Sequence, residues 1–204
     1  EVVDGAGLLA LPGLVNAHAH VDKSWWGQPW VSYGGEATTQ GRIAHERAER
    51  DRYGIPSTAG AVAVLREFVR HGTTATRTHV DVDTQAGLRH LEGTIRTREA
   101  LRELQQIQIV AFPQSGLLGR PGTAELLDRA LALGADVLGG LDPCAIDGDP
   151  VRSLDVLFGI ADRHQRPIDI HLHEPGAMGA FSLDLILQRA QALGMQGKVA
   201  ISHG

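Results

Sequence analysis

A regular alternation of short apolar runs with amphipathic helical patterns constrains the fold of this chain more than any other feature. Successive runs in the last four intervals start about 30 residues apart, the size of one strand–helix–strand unit. Repeats of this unit build a parallel sheet with helices on the outside. The predicted strands are Leu14–His20, Ala75–Val80, Ile107–Pro113, Val137–Leu141, Ile168–His173 and Val199–His203.

Helical patterns separate the predicted strands. Ser57 is expected to cap a helix that ends at Gly72, and Thr123 is expected to cap the helix Ala124–Leu133. The first interval is longer, and we expect a long tryptophan-containing loop there before the first outer helix. Further helices are predicted within Gln85–Gln106, Arg152–His164 and Phe181–Leu193.

Two α/β architectures fit this pattern, an open doubly wound sheet and a (β/α)8 barrel of the TIM type. A barrel typically needs about 250 residues, so 204 residues would hold about six of its eight strands. Residues 12–204 would form the incomplete barrel. Residues 1–11, with an Asp4-Gly5 turn, predict the end of a small β-sandwich domain. Because the first residue is Glu1, we expect the chain to be a piece of a longer protein.

Charge and composition exclude several classes of protein. The chain has 19 basic and 24 acidic residues and no basic stripe, which argues against a nucleic-acid partner. No apolar stretch approaches the roughly 18–20 residues of a membrane helix. A single cysteine, Cys144, excludes an internal disulfide framework and a multi-cysteine zinc site. It fits a reducing compartment, so a cytoplasmic location is expected.

Histidines gather where the predicted strands end. In parallel α/β folds this edge binds ligands. His18 and His20, two residues apart on a strand, point to one face and can converge on one metal ion. The alternative is a pair of polar residues on a solvated strand face. Six histidines occupy such ends: His18, His20, His79, His171, His173 and His203. The other four are expected at the surface or at helix ends: His45, His71, His90 and His164.

A second histidine pair with the same spacing, His171 and His173, precedes Glu174 on a later strand. One of these histidines, pointing inward, would supply a third metal ligand. Glu174 at the strand tip could move protons beside the ion, or it could simply belong to a polar turn. His203 is a candidate for orienting water or stabilising charge on a substrate oxygen.

Two further polar residues follow strands. Gln114 has both a donor and an acceptor, which suits the amide-like edge of a heterocycle, although such a residue is more often part of a loop. Asp142 could contact substrate or cap the next turn. Both are predicted as substrate-binding residues together with His173.

Five motifs occur in one order along the chain: LPGLVNAHAHVDKS, TRTHVDVD, VAFPQSG, DIHLHEPG and VAISHG. In this order and spacing they resemble the amidohydrolase superfamily, specifically its cytosine deaminase-like branch. The HVDKS variant also resembles the branch that removes alkylamines from triazine rings.

This resemblance implies a (β/α)8 barrel that holds one divalent metal ion, zinc or iron. His18, His20 and His171 would be ligands, and an aspartate on an eighth strand, outside these 204 residues, would complete the set. Glu174 would shuttle protons and His203 would act at the activated water. Gln114 would hold the ring of the substrate.

Two departures from related patterns qualify the resemblance. Cytosine deaminases usually carry an acid where this chain has His173. The stretch 137–142 lacks the lysine that bridges two metals in dinuclear relatives, which favours a single ion.

The expected activity is therefore deamination of an aminopyrimidine or a related ring by a cytoplasmic homo-oligomer. Hydrolysis of an N-alkylamine or a cyclic amide on a triazine or pyrimidine remains an alternative. So does an inactive fragment or a binding module that uses the barrel as a scaffold. A cupin-type metal protein also uses paired histidines, but the clear helical patterns argue against it.

Overall fold

The computed structural model of the protein describes residues 2–32 and 34–204. Its six strands form one sheet in which every neighbouring pair is parallel and the spatial order follows the chain. This sequential parallel order confirms the predicted α/β fold, with six strands of a (β/α) barrel. The strands are β1 (Leu14–Ala19), β2 (Thr73–Asp81), β3 (Gln106–Phe112), β4 (Val137–Leu141), β5 (Ile168–His171) and β6 (Val199–Ser202).

The helices connect successive strands and cover the outside of the sheet. Ser57 caps α2 as expected, since its side chain accepts a hydrogen bond from the Gly60 N–H. Asp149 caps α5 in the same way, and Pro150 follows at a position where its missing N–H costs nothing. The helices are α1 (Thr39–Glu49), α2 (Thr58–Arg70), α3 (Arg89–Leu101), α4 (Thr123–Leu133), α5 (Pro150–His164) and α6 (Gly176–Ala192).

Two local predictions are wrong. Thr123 does not cap α4, because Gly122 in the left-handed conformation (φ 97°) occupies that position and Thr123 is already helical. The interval after β1 is not one long loop, because it contains a 3-10 helix at Val21–Lys23 and the helix α1. The helix α1 escapes prediction because none of its residues is fully buried, so it needs no continuous apolar face.

The first residues of the chain lie apart from the sheet. Residues 2–13 form no strand and are exposed, while Glu1 lies outside the described residues. The assignment of residues 1–11 to a flanking β-sandwich domain stays a prediction. Within the described ranges, no helix combines the length and the apolar character needed to cross a bilayer.

The sheet has an apolar outer face, whereas its inner face carries polar groups mainly on β2 and β5 beside apolar ones such as Phe112 on β3. Ile109, Leu138 and Ile170 point outward and belong to the same buried cluster as side chains from the helices, such as Leu127 and Leu157. The alternate positions carry polar groups that contact one another across the inside of the curved sheet, among them Arg77, His79, Asp169 and His171. The alternation of side chains along each strand thus places these polar side chains inside the barrel.

A glycine permits the close approach of β3 and β4. A Cβ atom at Gly139 would lie 2.7 Å from the carbonyl oxygen of Ala111 and 2.9 Å from the Cα of Phe112. These are backbone atoms and cannot rotate away. We therefore expect Gly139→Ala to lower the free energy of unfolding by about 1–3 kcal/mol, measured by urea denaturation.

The matched control is Gly159→Ala in α5. A Cβ atom there would meet only the far end of Arg163, at 3.9 Å, so this substitution should stabilise the protein by about 0.5–1 kcal/mol. Equal effects of the two substitutions would contradict the close approach of the strands.

Candidate metal centre

Imidazole rings from three strands meet inside the barrel. His18 lies on β1, His79 on β2 and His171 at the end of β5. Their ring centroids are 4.2 Å apart for His18 and His79, 4.5 Å for His79 and His171, and 4.7 Å for His18 and His171. Each ring offers a nitrogen within 4.8 Å of those of the other two. Because β1 and β5 are far apart in the sheet order, only its curvature brings these rings together.

His20 joins this group from the residue that follows β1. Its Nε2 atom lies 3.3 Å from the Nε2 atom of His171, and its ring centroid is 5.2 Å from that of His18. The structure thus brings the three histidines predicted as metal ligands, His18, His20 and His171, into one cluster. Their role as ligands stays a prediction.

His79 received no role from the sequence, although it is fully buried at the middle of the cluster. Neither of its ring nitrogens has a hydrogen-bond partner within the described part of the chain. The sequence did carry a sign of this position. In the motif TRTHVDVD, Arg77, His79 and Asp81 alternate along a strand and must share its inner face.

The rings of the cluster are held in the neutral form that binds metals. Burial lowers the pKa of His20 to about 3 and that of His79 to about 4. Burial, reinforced by the neighbouring rings, also lowers the pKa values of His18 and His171. Several buried nitrogens lack a hydrogen-bond partner among the described residues: His18 Nε2, His20 Nδ1, His171 Nδ1 and both nitrogens of His79. Neutral imidazoles with unpaired nitrogens fit a zinc or similar divalent ion.

The three residues predicted at the rim of the site lie beside the cluster. The ring of His203 stacks on that of His173 with centroids 4.5 Å apart, and it lies 4.7 Å from His18. The buried carboxylate of Asp142 accepts hydrogen bonds from the backbone N–H of His173 at 2.6 Å and contacts its Nδ1 at 2.8 Å. Asp142 therefore orients the His173 ring.

Glu174 is buried, and its carboxylate is tied to two neighbouring segments. One oxygen accepts hydrogen bonds from the backbone N–H groups of Cys144 (2.7 Å) and Ala145 (2.8 Å), in the loop after β4. The other accepts from the hydroxyl of Ser182 on α6. Three of the roughly four acceptor positions of the carboxylate are filled, so one remains.

Gln114, predicted to hold the substrate ring, lies half-buried in the turn directly after β3. It is at the same edge of the sheet as Asp142 and Glu174, which follow β4 and β5. The structure therefore places all the predicted site residues at the carboxyl ends of the strands, and their individual roles remain predictions.

A second group of charged side chains, of which only Asp81 is fully buried, holds the 3-10 helix that follows His20. Lys23 Nζ lies 3.1 Å from the carboxylate of Glu46 and 3.2 Å from that of Asp81. Burial opposes the charge of Lys23, but the two carboxylates outweigh it and raise its pKa. The group links the 3-10 helix to β2 and to α1, a helix that the sequence does not predict.

His90 lies at the start of α3, one of the two places expected for it, but it is not a surface residue. Its side chain is fully buried, and its Nδ1 atom lies 2.7 Å from Asp22 in the 3-10 helix. The buried Asp22 carboxylate needs a partner, and α3 supplies one from the side that faces the sheet. His71 is exposed, as expected, and pairs with Glu67.

The model of the Amidohydrolase family matches residues 1–204 of the sequence. The chain belongs to the amidohydrolase family. Amidohydrolases are metal-dependent, which agrees with the cluster of unpaired imidazole nitrogens.

Several known amidohydrolases are similar to this chain. N-isopropylammelide isopropyl amidohydrolase from Pseudomonas sp. (strain ADP) is 32% identical over 219 residues, which cover 100% of this chain and 51% of the relative. The crystal structure of N-isopropylammelide isopropylaminohydrolase from Burkholderia multivorans is 61% identical with a TM-score of 0.91, and the match covers 98% of this chain and 50% of that one.

A third similar protein is 5-methylcytosine deaminase from Klebsiella pneumoniae, solved with phosphonocytosine. It is 27% identical with a TM-score of 0.79, and the match covers 100% of this chain and 51% of that one. This amidohydrolase chain therefore spans about half the length of the relatives that it matches.

The buried histidines predict a pH-dependent stability for this amidohydrolase. Unfolded histidines take up protons near pH 6.5, whereas His20 and His79 resist protonation in the fold. Below about pH 6.5 the unfolded state therefore binds more protons than the folded state. The contribution of these histidines to the free energy of unfolding is complete above that pH and decreases as the pH is lowered. Urea denaturation in the presence of a chelator should show this fall between pH 6.5 and 5.

A histidine variant provides the control for this measurement. His79→Gln should make the fall with pH shallower, because one buried imidazole no longer titrates. His71→Gln changes an exposed ring and should leave the slope as it is. An unchanged slope in His79→Gln would contradict the burial argument.

Proposed function

We propose that this chain forms the histidine-bearing part of a hydrolase that cleaves a C–N bond of a small heterocycle with one divalent ion, zinc or iron. The observation that carries the proposal is the cluster of buried imidazoles in which His18, His79 and His171 each offer a nitrogen within 4.8 Å of the others, and in which several nitrogens lack hydrogen-bond partners in the described residues. Leaving buried imidazole nitrogens such as His18 Nε2 unpaired costs free energy, and an ion bound there would recover it.

The residues that would hold the ion are His18, His20 and His171, with His79 within reach of the same space. The resemblance to amidohydrolases supports a further aspartate ligand from outside these 204 residues. When bound, the ion supplies Lewis acidity, which favours deprotonation of water and polarises a bond to carbon. Both zinc and iron accept imidazole ligands, so the choice between them is left to metal analysis.

Glu174 is the proposed proton carrier. Its hydrogen bonds to the loop after β4 and to Ser182 hold the carboxylate in place, and its remaining acceptor position can take a proton. His203 would stabilise negative charge that develops on the substrate oxygen. These two groups line the same cavity as His173, so proton transfer and charge stabilisation can act on one bound ring.

Gln114, Asp142 and His173 would bind the heterocycle and fix its orientation. Gln114 offers a donor and an acceptor to a ring edge, and Asp142 holds the ring of His173 in place. Such positioning confines the reaction to one ring carbon and contributes to the rate by itself.

We favour an alkylamine on a triazine ring as the leaving group. The 61% identity to the Burkholderia multivorans aminohydrolase over nearly the whole chain supports this class of substrate. His173, where cytosine deaminases usually carry an acid, supports it as well. Deamination of a pyrimidine is the second candidate, and the structural similarity to 5-methylcytosine deaminase supports it.

A substrate panel tests the choice. The whole protein that contains this chain, loaded with zinc or iron, is incubated with N-isopropylammelide, 5-methylcytosine and cytosine. Release of isopropylamine from the first is expected, whereas ammonia from the pyrimidines would favour the second candidate. No product from any of them would leave the proposal of an inactive fragment or a binding module. Sedimentation of the same sample tests the predicted homo-oligomer.

Glu174→Gln tests the proton carrier. The amide keeps the shape of the side chain but cannot accept the proton, so we expect kcat to fall about 10²- to 10⁴-fold with the metal content unchanged. Glu125→Gln, an exposed position on α4, serves as the control and should keep full activity. Normal turnover by Glu174→Gln would remove this residue from the mechanism.

A further inference from the structure

A chain of hydrogen bonds leads away from His18 on the side opposite its unpaired nitrogen. The hydroxyl of Ser202 on β6 lies 3.2 Å from His18 Nδ1 and donates to the Oδ1 atom of Asp169 on β5 at 2.8 Å. Arg77 on β2 donates to the other oxygen of Asp169 at 2.7 Å. We propose that Ser202 and Asp169 are positioning residues that fix the tautomer and the orientation of His18, and so prepare its Nε2 atom for a metal ion.

The tautomer follows from counting hydrogens. A serine hydroxyl has one hydrogen, and Asp169 takes it, because both of its oxygens act as acceptors. The Ser202 oxygen must then accept its second hydrogen bond, so the hydrogen of the His18 ring sits on Nδ1. The other nitrogen, Nε2, keeps its lone pair, and this atom is buried without a hydrogen-bond partner.

The hydrogen-bonded residues His18, Ser202 and Asp169 form a relay. The carboxylate of Asp169, at its far end, is itself firmly held. Asp169 is only 2% exposed, and Arg77, which binds it, is also bonded to Gln108 on β3 through its Nε atom at 2.7 Å. The relay thus rests on β2, β3, β5 and β6. An anchor of this kind restricts rotation of the His18 ring.

His18 differs in this respect from the other two proposed ligands. The Nδ1 atoms of His20 and His171 are buried and lack hydrogen-bond partners in residues 2–32 and 34–204. Metal-bound histidines generally donate their second N–H to an acceptor, which sets the tautomer and strengthens the ligand. In this cluster the described residues provide such an acceptor for His18. We therefore infer that His18 is already oriented for the ion, whereas His20 and His171 become oriented when the ion binds.

The inference rests on the proposed function, in which His18 binds the ion. The first test measures zinc affinity by competition with a chromogenic chelator. Ser202→Ala and Asp169→Asn should each bind zinc about 10- to 100-fold more weakly than the unmodified protein. Ser202→Thr keeps the hydroxyl and should bind nearly as well. Unchanged affinity in Ser202→Ala would overturn the proposal.

Ser153→Ala is the matched control. Its hydroxyl also donates to a carboxylate, that of the half-buried Asp147, but this bond joins α5 to the loop before it and involves no histidine. Its zinc affinity should stay unchanged. An equal loss of affinity in Ser153→Ala and Ser202→Ala would mean that the effect comes from general destabilisation, and the relay would then have no specific role.

The second test observes the tautomer directly in the metal-free protein. Nitrogen-15 NMR of the imidazoles, with His18 assigned through His18→Gln, should show the hydrogen on Nδ1 and a bare Nε2. Ser202→Ala should lose this preference and show a mixture. A hydrogen on Nε2 in the unmodified protein would overturn the relay, even if Ser202→Ala does not fold.

The two tests separate the relay from the metal centre. If the unmodified protein does not bind zinc or iron, the proposed function fails, while the NMR result still decides whether the relay exists. If zinc binds and the hydrogen lies on Nε2, the metal centre stands and the positioning role of Ser202 and Asp169 is rejected.

Discussion

The burial of neutral imidazole rings at the centre of a curved parallel sheet is the constraint on which the rest of this structure depends. A buried polar atom without a partner costs about 1–3 kcal/mol, and the described cluster contains five such nitrogens. A fold keeps so unfavourable an arrangement only where something recovers the cost. Family membership and the neutral state of His18, His20, His79 and His171 both agree with a divalent ion in that position.

The two faces of the sheet have different roles: the outer face stabilises the fold, and the inner face carries the functional side chains. The outer face packs Ile109, Leu138 and Ile170 against the helices, and this apolar layer supports the strands without any functional group. The inner face then carries polar residues at the alternate positions, where curvature gathers them. Arg77 donates to Asp169 and so connects β2 to β5, which are not neighbours in the sheet, and Ser202 on the adjacent β6 donates to the same carboxylate. A polar layer that is largely satisfied by hydrogen bonds favours one arrangement of the rings above it.

The site residues differ in how firmly the fold fixes them. His18 has a hydrogen-bonded anchor, and Asp142 orients His173, whereas His20 and His171 depend on each other and on the ion that we propose. Glu174 is held by three donors from the loop after β4 and from α6, so its carboxylate is placed before any substrate arrives. The proposed reaction thus combines fixed groups, which bind and orient, with a small number of rings that complete the centre when metal binds.

Periodicity in the sequence by itself determined the parallel α/β fold, the approximate bounds of all six strands and the strand ends at which His18, His20 and His171 lie, because these depend on local alternation and spacing. It did not reveal α1, whose residues are only partly buried, or the burial of His90, which depends on the charge of Asp22. The tertiary structure decided how closely His79 approaches His18 and His171, and it alone showed that Ser202 and Asp169 stand behind His18. These contacts arise because the curvature of the sheet brings β1, β2, β5 and β6 close together. Local periodicity in the sequence carries no information about distances between strands that are remote along the chain.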